Sequence, residues 1–353
     1  MMMSRAWTCS DVGSFAWRTC TSRWPTILDG LRQDVPEFDL PLGALRDEIA
    51  GGTVQPLADD VVEAPRWSAV LPFVGQAWTS LPWYLAESFL YARIRAAVCF
   101  AQTHADPFLP TKMREERALP ALAEDHPAVD VVAAGLWRSL WGNRADLSLP
   151  SAMMHTGSDA ADLVADERPA ALALLATAQV VGILLDNAGV ELACDLSLTR
   201  LLLRRRKRVI LFCKDVPFFV SDATVADVVR TAALLDLECP PELEIVDDAF
   251  FTGPGFLATT EIPAPLARRL GGCDVVIAKG DCNYRRLVGD IPPSSDAFAD
   301  VVTFPAPLIA LRTLKAEVLV GGDPARIAQA RARDEDWLVS GRCGLVQVAP
   351  LGR

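Results

Sequence analysis

Histidine is scarce in this chain: 353 residues carry only His104, His126 and His155. A zinc centre built on imidazoles is therefore a poor expectation. The nine cysteines, at positions 9, 20, 99, 194, 213, 239, 273, 282 and 343, contain no CxxC pair. An odd, scattered set excludes a disulfide framework or zinc ribbon as the organising device and predicts reduced thiols in a cytoplasmic protein. Long apolar runs are missing as well. Residues 170–185 form the most hydrophobic stretch, but Thr177, Gln179 and Gly182 interrupt it. It falls short of the roughly 20 residues a bilayer requires. The opening MMMSRAWTCSDVGS has no signal-peptide core, so a soluble protein is expected.

Basic charge is also in deficit. Lys and Arg number 34 against 45 Asp and Glu, for a formal charge of −11. That balance argues against a nucleic-acid protein held by phosphate contacts, although a local cation or metal still permits a small anionic substrate. The basic run Arg204 to Arg208 falls where a helix should end, which accounts for it. Gly253 with Gly255, and Gly321 with Gly322, fit neither a P-loop nor a dinucleotide fingerprint, and no serine nucleophile elbow is present.

What is present divides in two. The first half is rich in tryptophan and helical spacing. Residues 24–31 and 42–49 read as helices, and so does a segment opened by Leu81-Pro82-Trp83 in which Trp83, Leu90 and Ile94 share a face. Trp137 and Trp141, four apart, fit another helix and read as core packing. Across residues 144–167 the apolar periodicity weakens and Pro150, Gly157 and several Asp and Ser residues accumulate. This predicts a boundary, with a helical domain over 1–160 and a second domain over 161–353. Strand candidates then follow at 180–185, 209–213, 243–246, 274–278, 308–311 and 345–348, with helices at 191–205 and 225–235 between them. Such alternation predicts an α/β fold with a largely parallel sheet covered on both faces.

The apolar run at 180–185 stops at Asp186 and Asn187, followed by Ala188-Gly189. A buried strand thereby delivers a carboxylate and an amide to the carboxyl edge of the sheet, where open α/β proteins bind ligands. With Asp222, which follows PFFVS, they supply hard oxygen donors suited to magnesium or manganese. Each also has a plainer reading, Asp-Asn as a turn and Ser221-Asp222 as a helix cap. Glu191 either complements the dipole of the helix it opens or faces the site. KGDCNYRR, residues 279–286, is the densest polar cluster after a buried strand. Gly280 there permits a tight turn, and Asp281, Asn283, Tyr284 and Arg285 are able to bind hydroxyls or phosphate oxygens, unless the segment is an ordinary surface loop. Arg312-Thr313-Leu314-Lys315 places two cations after a further strand. Lys315 offers a point charge to a phosphoryl group, while Arg312 suits either a bidentate contact or a structural ion pair.

Taken in order, SDVGSFAWRTCTSRWP, PWYLAESFLYARI, LLDNAGVELACDL, PFFVSDATVADV, KGDCNYRRLVGD and RTLKAEVLVG resemble the damage-control phosphatase family, in its acidic-residue-methyltransferase-like branch. The resemblance extends over nearly the whole chain, with DNAG, KGD-x-NYR and RTLK the most specific segments. It implies a helical N-terminal region packed on a three-layer α/β/α domain, with one divalent ion, such as Mn, Mg, Ni or Co, at their interface. It assigns metal ligation to Asp186, Asn187 and Asp222, and substrate contacts to Asp186, Asn187, Glu191, Asp281, Asn283, Tyr284, Arg285 and Lys315, with Glu87 added from the matching helix. The RTLK segment resembles the branch associated with sugar phosphates such as fructose 1-phosphate and fructose 6-phosphate. Cys282 within KGD-x-NYR and a short span between Asp222 and Lys279 depart from the family pattern.

The expected activity is metal-dependent phosphomonoester hydrolysis, with Asp186, Asp222 and Lys315 as catalytic residues. The nucleophile is either a metal-bound water or Asp186 itself, through an aspartyl-phosphate. Two other readings stand beside it. One is methyl transfer from S-adenosylmethionine to protein carboxylates, which gives no role to a hard metal or a phosphate-directed lysine. The other is noncatalytic sugar-phosphate binding.

Overall fold

The computed structural model describes residues 6–58, 61, 63–117, 119, 131–142 and 159–351. Among these, seven strands form one sheet: β1 (Leu163–Asp166), β2 (Val180–Leu184), β3 (Arg208–Lys214), β4 (Leu243–Asp248), β5 (Val275–Lys279), β6 (Leu308–Thr313) and β7 (Gly344–Ala349). Their order is β1-β7-β6-β5-β2-β3-β4. From β6 to β4 all neighbours run parallel, whereas β7 is antiparallel to β6 and β1 is parallel to β7. The sheet is thus largely parallel, as the alternation predicts. Two features differ from that expectation: β7 is reversed, and the short β1 closes its edge.

Every central strand is buried on both sides, and its residues divide between two apolar layers with a period of two. Leu184, Phe212, Ala278 and Ala310 face the layer shared with the N-terminal helices. Ile183, Leu211, Ile277 and Ile309 face the layer formed with helices Val190–Arg204 and Val225–Leu234. The helical residues therefore share one continuous core with a face of the sheet, in which Trp24, Trp78 and Trp83 are fully buried. Helix Trp83–Ala97 follows Pro82, whose ring holds φ at −54°, and is buried around most of its circumference. Trp137 and Trp141 meet edge-on at 5.7 Å, in the packing role expected of them.

Most of the expected boundary, residues 143–158, lies outside the described residues, as do His126 and His155. All nine cysteines are free of disulfides. Among the described residues, no helix is long and apolar enough to cross a membrane. KGDCNYRR is not a turn. Gly280 opens helix Gly280–Val288 directly after β5, and this changes which of its side chains reach the sheet edge.

Candidate active site at the carboxyl edge of the sheet

The chain runs from β2 outward through β3 and β4, then returns to place β5 on the other side of β2. Reversal of this kind opens a crevice at the carboxyl ends of β2 and β5, the general ligand position of doubly wound sheets. A cavity of about 630 Å³ lies there. Its lining includes Glu87, Asp186, Asn187, Glu191, Asp222, Asp281, Arg285 and Lys315.

Asp186 and Asn187 leave β2 in extended form and pair with the segment before helix Val225–Leu234. Asn187 bridges to Asp222, Ala188 N donates to Ser221 O at 2.6 Å, and Ala223 N donates to Asp186 O at 2.7 Å. This backbone pairing brings Asp222 beside Asp186 and Asn187. The helix cap suggested for Ser221-Asp222 belongs instead to Thr224, which forms a reciprocal capping box with Asp227.

Side-chain bonds then fix the donors. Asn187 Nδ2 donates to Asp186 Oδ2 at 3.0 Å and to Glu191 Oε2 at 2.9 Å, while Asn187 Oδ1 accepts from Ser221 Oγ at 2.7 Å. Asp222 pairs with the buried ammonium of Lys214 at 3.0 Å. Lys214 also donates to Leu185 O at 3.1 Å, just before Asp186. Asp186 Oδ1 is buried with no hydrogen-bond partner. An orphaned carboxylate oxygen in such a place is costly unless a ligand takes it.

Electrostatics point the same way. Burial, then Glu191 and Asp222, push the Asp186 acid well above the ordinary carboxylate range. Burial raises Asp222 to about 6 although Lys214 opposes it. Burial works against the Lys214 charge, yet Asp222, Cys282 and Asp186 outweigh it and raise that pKa. Acids crowded together at a buried edge favour a cation among them. Among the described residues, no group of three His, Cys, Asp or Glu side chains is arranged to hold a metal. The donors here are two carboxylates and an amide oxygen, a hard set that fits magnesium or manganese, and the orphaned Asp186 Oδ1 lies within it.

Around these donors, helix Gly280–Val288 sorts the KGDCNYRR residues by face. Asp281 and Arg285, one turn apart, both reach the cavity. Asp281 Oδ1 accepts from Arg312 Nε at 2.8 Å and from Lys315 N at 3.3 Å. Arg312 is fully buried and also donates to Ala316 O and Val318 O, so of its two readings the structural ion pair is realised. Arg285 lies 3.7 Å above the Trp83 ring and binds Glu87 at 2.5 Å and Asp290 at 2.7 Å.

Asn283 and Tyr284, expected to contact substrate, are not among the residues that line the cavity, and Asn283 Oδ1 is buried with no hydrogen-bond partner. Asn283 Nδ2 donates to Leu185 O at 3.1 Å and to Lys279 O at 2.9 Å, fastening β2 to β5. Tyr284 stacks on Phe298, and its hydroxyl donates to Gln347 Oε1 at 2.9 Å. Glu191 follows neither suggested reading alone. It faces the site, and its two oxygens engage Asn187 and Lys279.

Lining residues that sequence reasoning did not single out include Phe15, Arg23, Ile27 and Glu115. The first two lie within SDVGSFAWRTCTSRWP, whose residues carried no strand-end signal. Glu115 gave no local signal. A Cβ on Gly189 (φ +70°) would meet Glu115 Oε2 at 2.3 Å, so that glycine admits the carboxylate to the start of helix Val190–Arg204. Burial raises the Glu115 pKa against the opposing pull of Lys315.

Residues 19–329 match the family described as the damage-control phosphatase ARMT1-like domain. The chain is 29% identical to the rat damage-control phosphatase ARMT1 (Rattus norvegicus), over 96% of its own length and 97% of that protein. The human protein of that name (Homo sapiens) is 28% identical over 96% of each chain. Among solved structures, a DUF89 family protein from Pyrococcus horikoshii superposes with a TM-score of 0.50 at 16% identity, covering 85% of this chain and 97% of that one. That likeness supports the fold.

Proposed function

The chain belongs to the ARMT1-like damage-control phosphatase family, and from that premise we propose that it hydrolyses small phosphomonoesters, specifically sugar phosphates such as fructose 1-phosphate or fructose 6-phosphate, with a divalent metal at its site. The observation that carries this reading is the convergence of Asp186, Asn187 and Asp222 at one cavity wall, with the orphaned Asp186 Oδ1 among them. These three residues would hold the ion. When bound, the ion would supply positive charge against the phosphoryl oxygens as negative charge develops on them.

The remaining chemistry belongs to the chain. Lys315 enters the same cavity and offers an ammonium to a phosphoryl oxygen. Its position is fixed from behind, because Asp281 accepts from the Lys315 backbone while being held by Arg312. Arg285, clamped between Glu87 and Asp290, presents a rigid guanidinium on the wall formed with Trp83. Phe15 and Ile27 line the same cavity and add apolar surface to it. In the net reaction water adds at phosphorus, the ester P–O bond breaks, and the sugar oxygen leaves with a proton.

The test is a phosphate-release screen over sugar phosphates with manganese, magnesium, nickel or cobalt, alongside chelator-treated protein and D222A. Metal-dependent turnover that D222A lowers at least a hundredfold is the expected result, on the scale of losing one transition-state charge contact. Full metal-dependent activity in D222A overturns the assignment.

A further inference from the structure

We infer that Lys279 is a positioning residue which, acting through Glu191, holds the Asn187 amide with its oxygen available for a metal. This rests on the reading of Asp186, Asn187 and Asp222 as metal ligands. Lys279 is the last residue of β5, is buried, and is not among the residues that line the cavity. Its ammonium donates to Glu191 Oε1 at 3.1 Å and to the Ser139 carbonyl at 2.5 Å, and lies 3.3 Å from Asp195 Oδ1. The other oxygen of Glu191 accepts from Asn187 Nδ2 at 2.9 Å. A chain of contacts therefore runs from the β5 terminus, behind the cavity lining, through Glu191 to the amide.

An amide has two dissimilar ends, and only its oxygen can ligate a cation. The two N–H groups of Asn187 are taken by Glu191 Oε2 and Asp186 Oδ2. Its oxygen accepts one bond from Ser221 Oγ and keeps a second lone pair. Glu191 performs this selection only while Oε2 faces the Asn187 amide. It is buried among acids, with Asp186 and Asp222 lining the same cavity. The Lys279 ammonium supplies the opposing charge and ties down Oε1, so that Oε2 stays directed at the amide. Without it, a displaced Glu191 no longer distinguishes the two amide orientations, and a flipped Asn187 presents N–H groups to a cation. Outer partners that orient metal ligands in this manner are worth about 10–100-fold in metal affinity.

The experiment measures Mn²⁺ binding to the chelator-stripped full chain by calorimetry, below the melting temperature, for wild type, K279M, E191Q and the double variant. K279M and E191Q should each weaken Mn²⁺ binding about tenfold or more. The double variant should be little worse than either, because both break one chain of contacts. A merely structural role for Lys279 predicts a lowered melting temperature with unchanged Mn²⁺ affinity, and that result overturns the proposal. Additive losses overturn it also. Should K279M fail to fold, E191Q alone decides, since Lys279 keeps Asp195 as a partner; unchanged affinity in E191Q is then the contrary result. Absence of Mn²⁺ binding by the wild type would instead overturn the metal-site reading on which this inference stands.

Discussion

Gly280 lies so close to Asp186 that a Cβ built on it would sit 1.8 Å from Oδ2 and 2.6 Å from the Asp186 Cβ. No rotation of the carboxylate relieves both contacts, so a side chain at 280 must move the Asp186 backbone. Gly280 also holds φ at +78°, a conformation that costs an L-residue on the order of 1–3 kcal/mol. Replacement G280A is therefore expected to abolish metal binding and lower phosphatase activity at least a hundredfold while the sheet still forms. Calorimetric metal titration beside far-UV circular dichroism checks this; a G280A protein with wild-type metal affinity would refute it.

Arg285 joins the N-terminal helical layer to the α/β layer through Glu87 on one side and Asp290 on the other. All three side chains are buried, so removing the guanidinium strands two carboxylates. R285M should cost about 3–5 kcal/mol, the range for breaking a buried charge pair from one side. R285K should recover little of this, because one ammonium cannot reproduce a fork spanning two acids above the Trp83 ring. Urea unfolding of the three proteins decides: equal midpoints for R285K and wild type would show that charge alone suffices.

The strands at 180–185 and 209–213 were legible because a strand buried on both faces is a short apolar run, and its end is marked by the first polar residues. That same mark revealed Asp186, Asn187, Asp281 and Lys315. The direction of β7 was not legible, since alternation has the same pattern whichever way a strand runs. β1 has only four residues, too few for periodicity to register. Lys214 passed unnoticed, and Lys279 received no role beyond opening the KGDCNYRR cluster, because a single cation closing an apolar run resembles any solvent-facing strand end. Their acidic partners come from other elements. Asn283 and Tyr284 stand behind the cavity lining for a local reason. Read as a turn, KGDCNYRR offers every polar side chain to the ligand, whereas the helix there brings Asp281, Cys282 and Arg285 to the cavity.

Acid stability should depend on Asp227. Burial by itself would raise its pKa, but Lys112 at 2.8 Å and bonds from Thr224 outweigh that and hold it below the ordinary value. A depressed carboxyl contributes stability that is complete above its unfolded pKa of about 3.9 and is lost as pH falls through the lower folded value. Lys112 has the opposite sign. Burial lowers its pKa, Asp106 and Asp227 more than restore it, and its contribution disappears only as pH rises through a folded value above 10.5. Docking of helix Leu109–Glu116 should therefore be firmest between about pH 4 and pH 10. In D227N the loss of stability below pH 4 should be shallower than in wild type. Chemical denaturation from pH 3 to 7 measures it, and identical slopes would remove Asp227 from the account.

Lys315 should affect turnover far more than folding. It follows β6, enters the cavity, and is anchored through its backbone by Asp281, whereas the β6 edge itself is secured by the buried Arg312. Changing the Lys315 side chain leaves both partners of the Arg312–Asp281 pair in place. K315M should accordingly keep a cooperative unfolding transition, which urea denaturation checks. Its kcat should fall about 10²–10³-fold, the range for removing a donor aimed at transition-state charge. K315R separates position from charge, since guanidinium restores the charge but spreads it over a wider, planar fork. If Lys315 acts as a point charge on one phosphoryl oxygen, K315R should regain only part of kcat, and inorganic phosphate should inhibit K315M less than wild type. If instead K315M keeps wild-type kcat with only a raised KM, the lysine binds ground state and transition state alike, and its catalytic assignment fails.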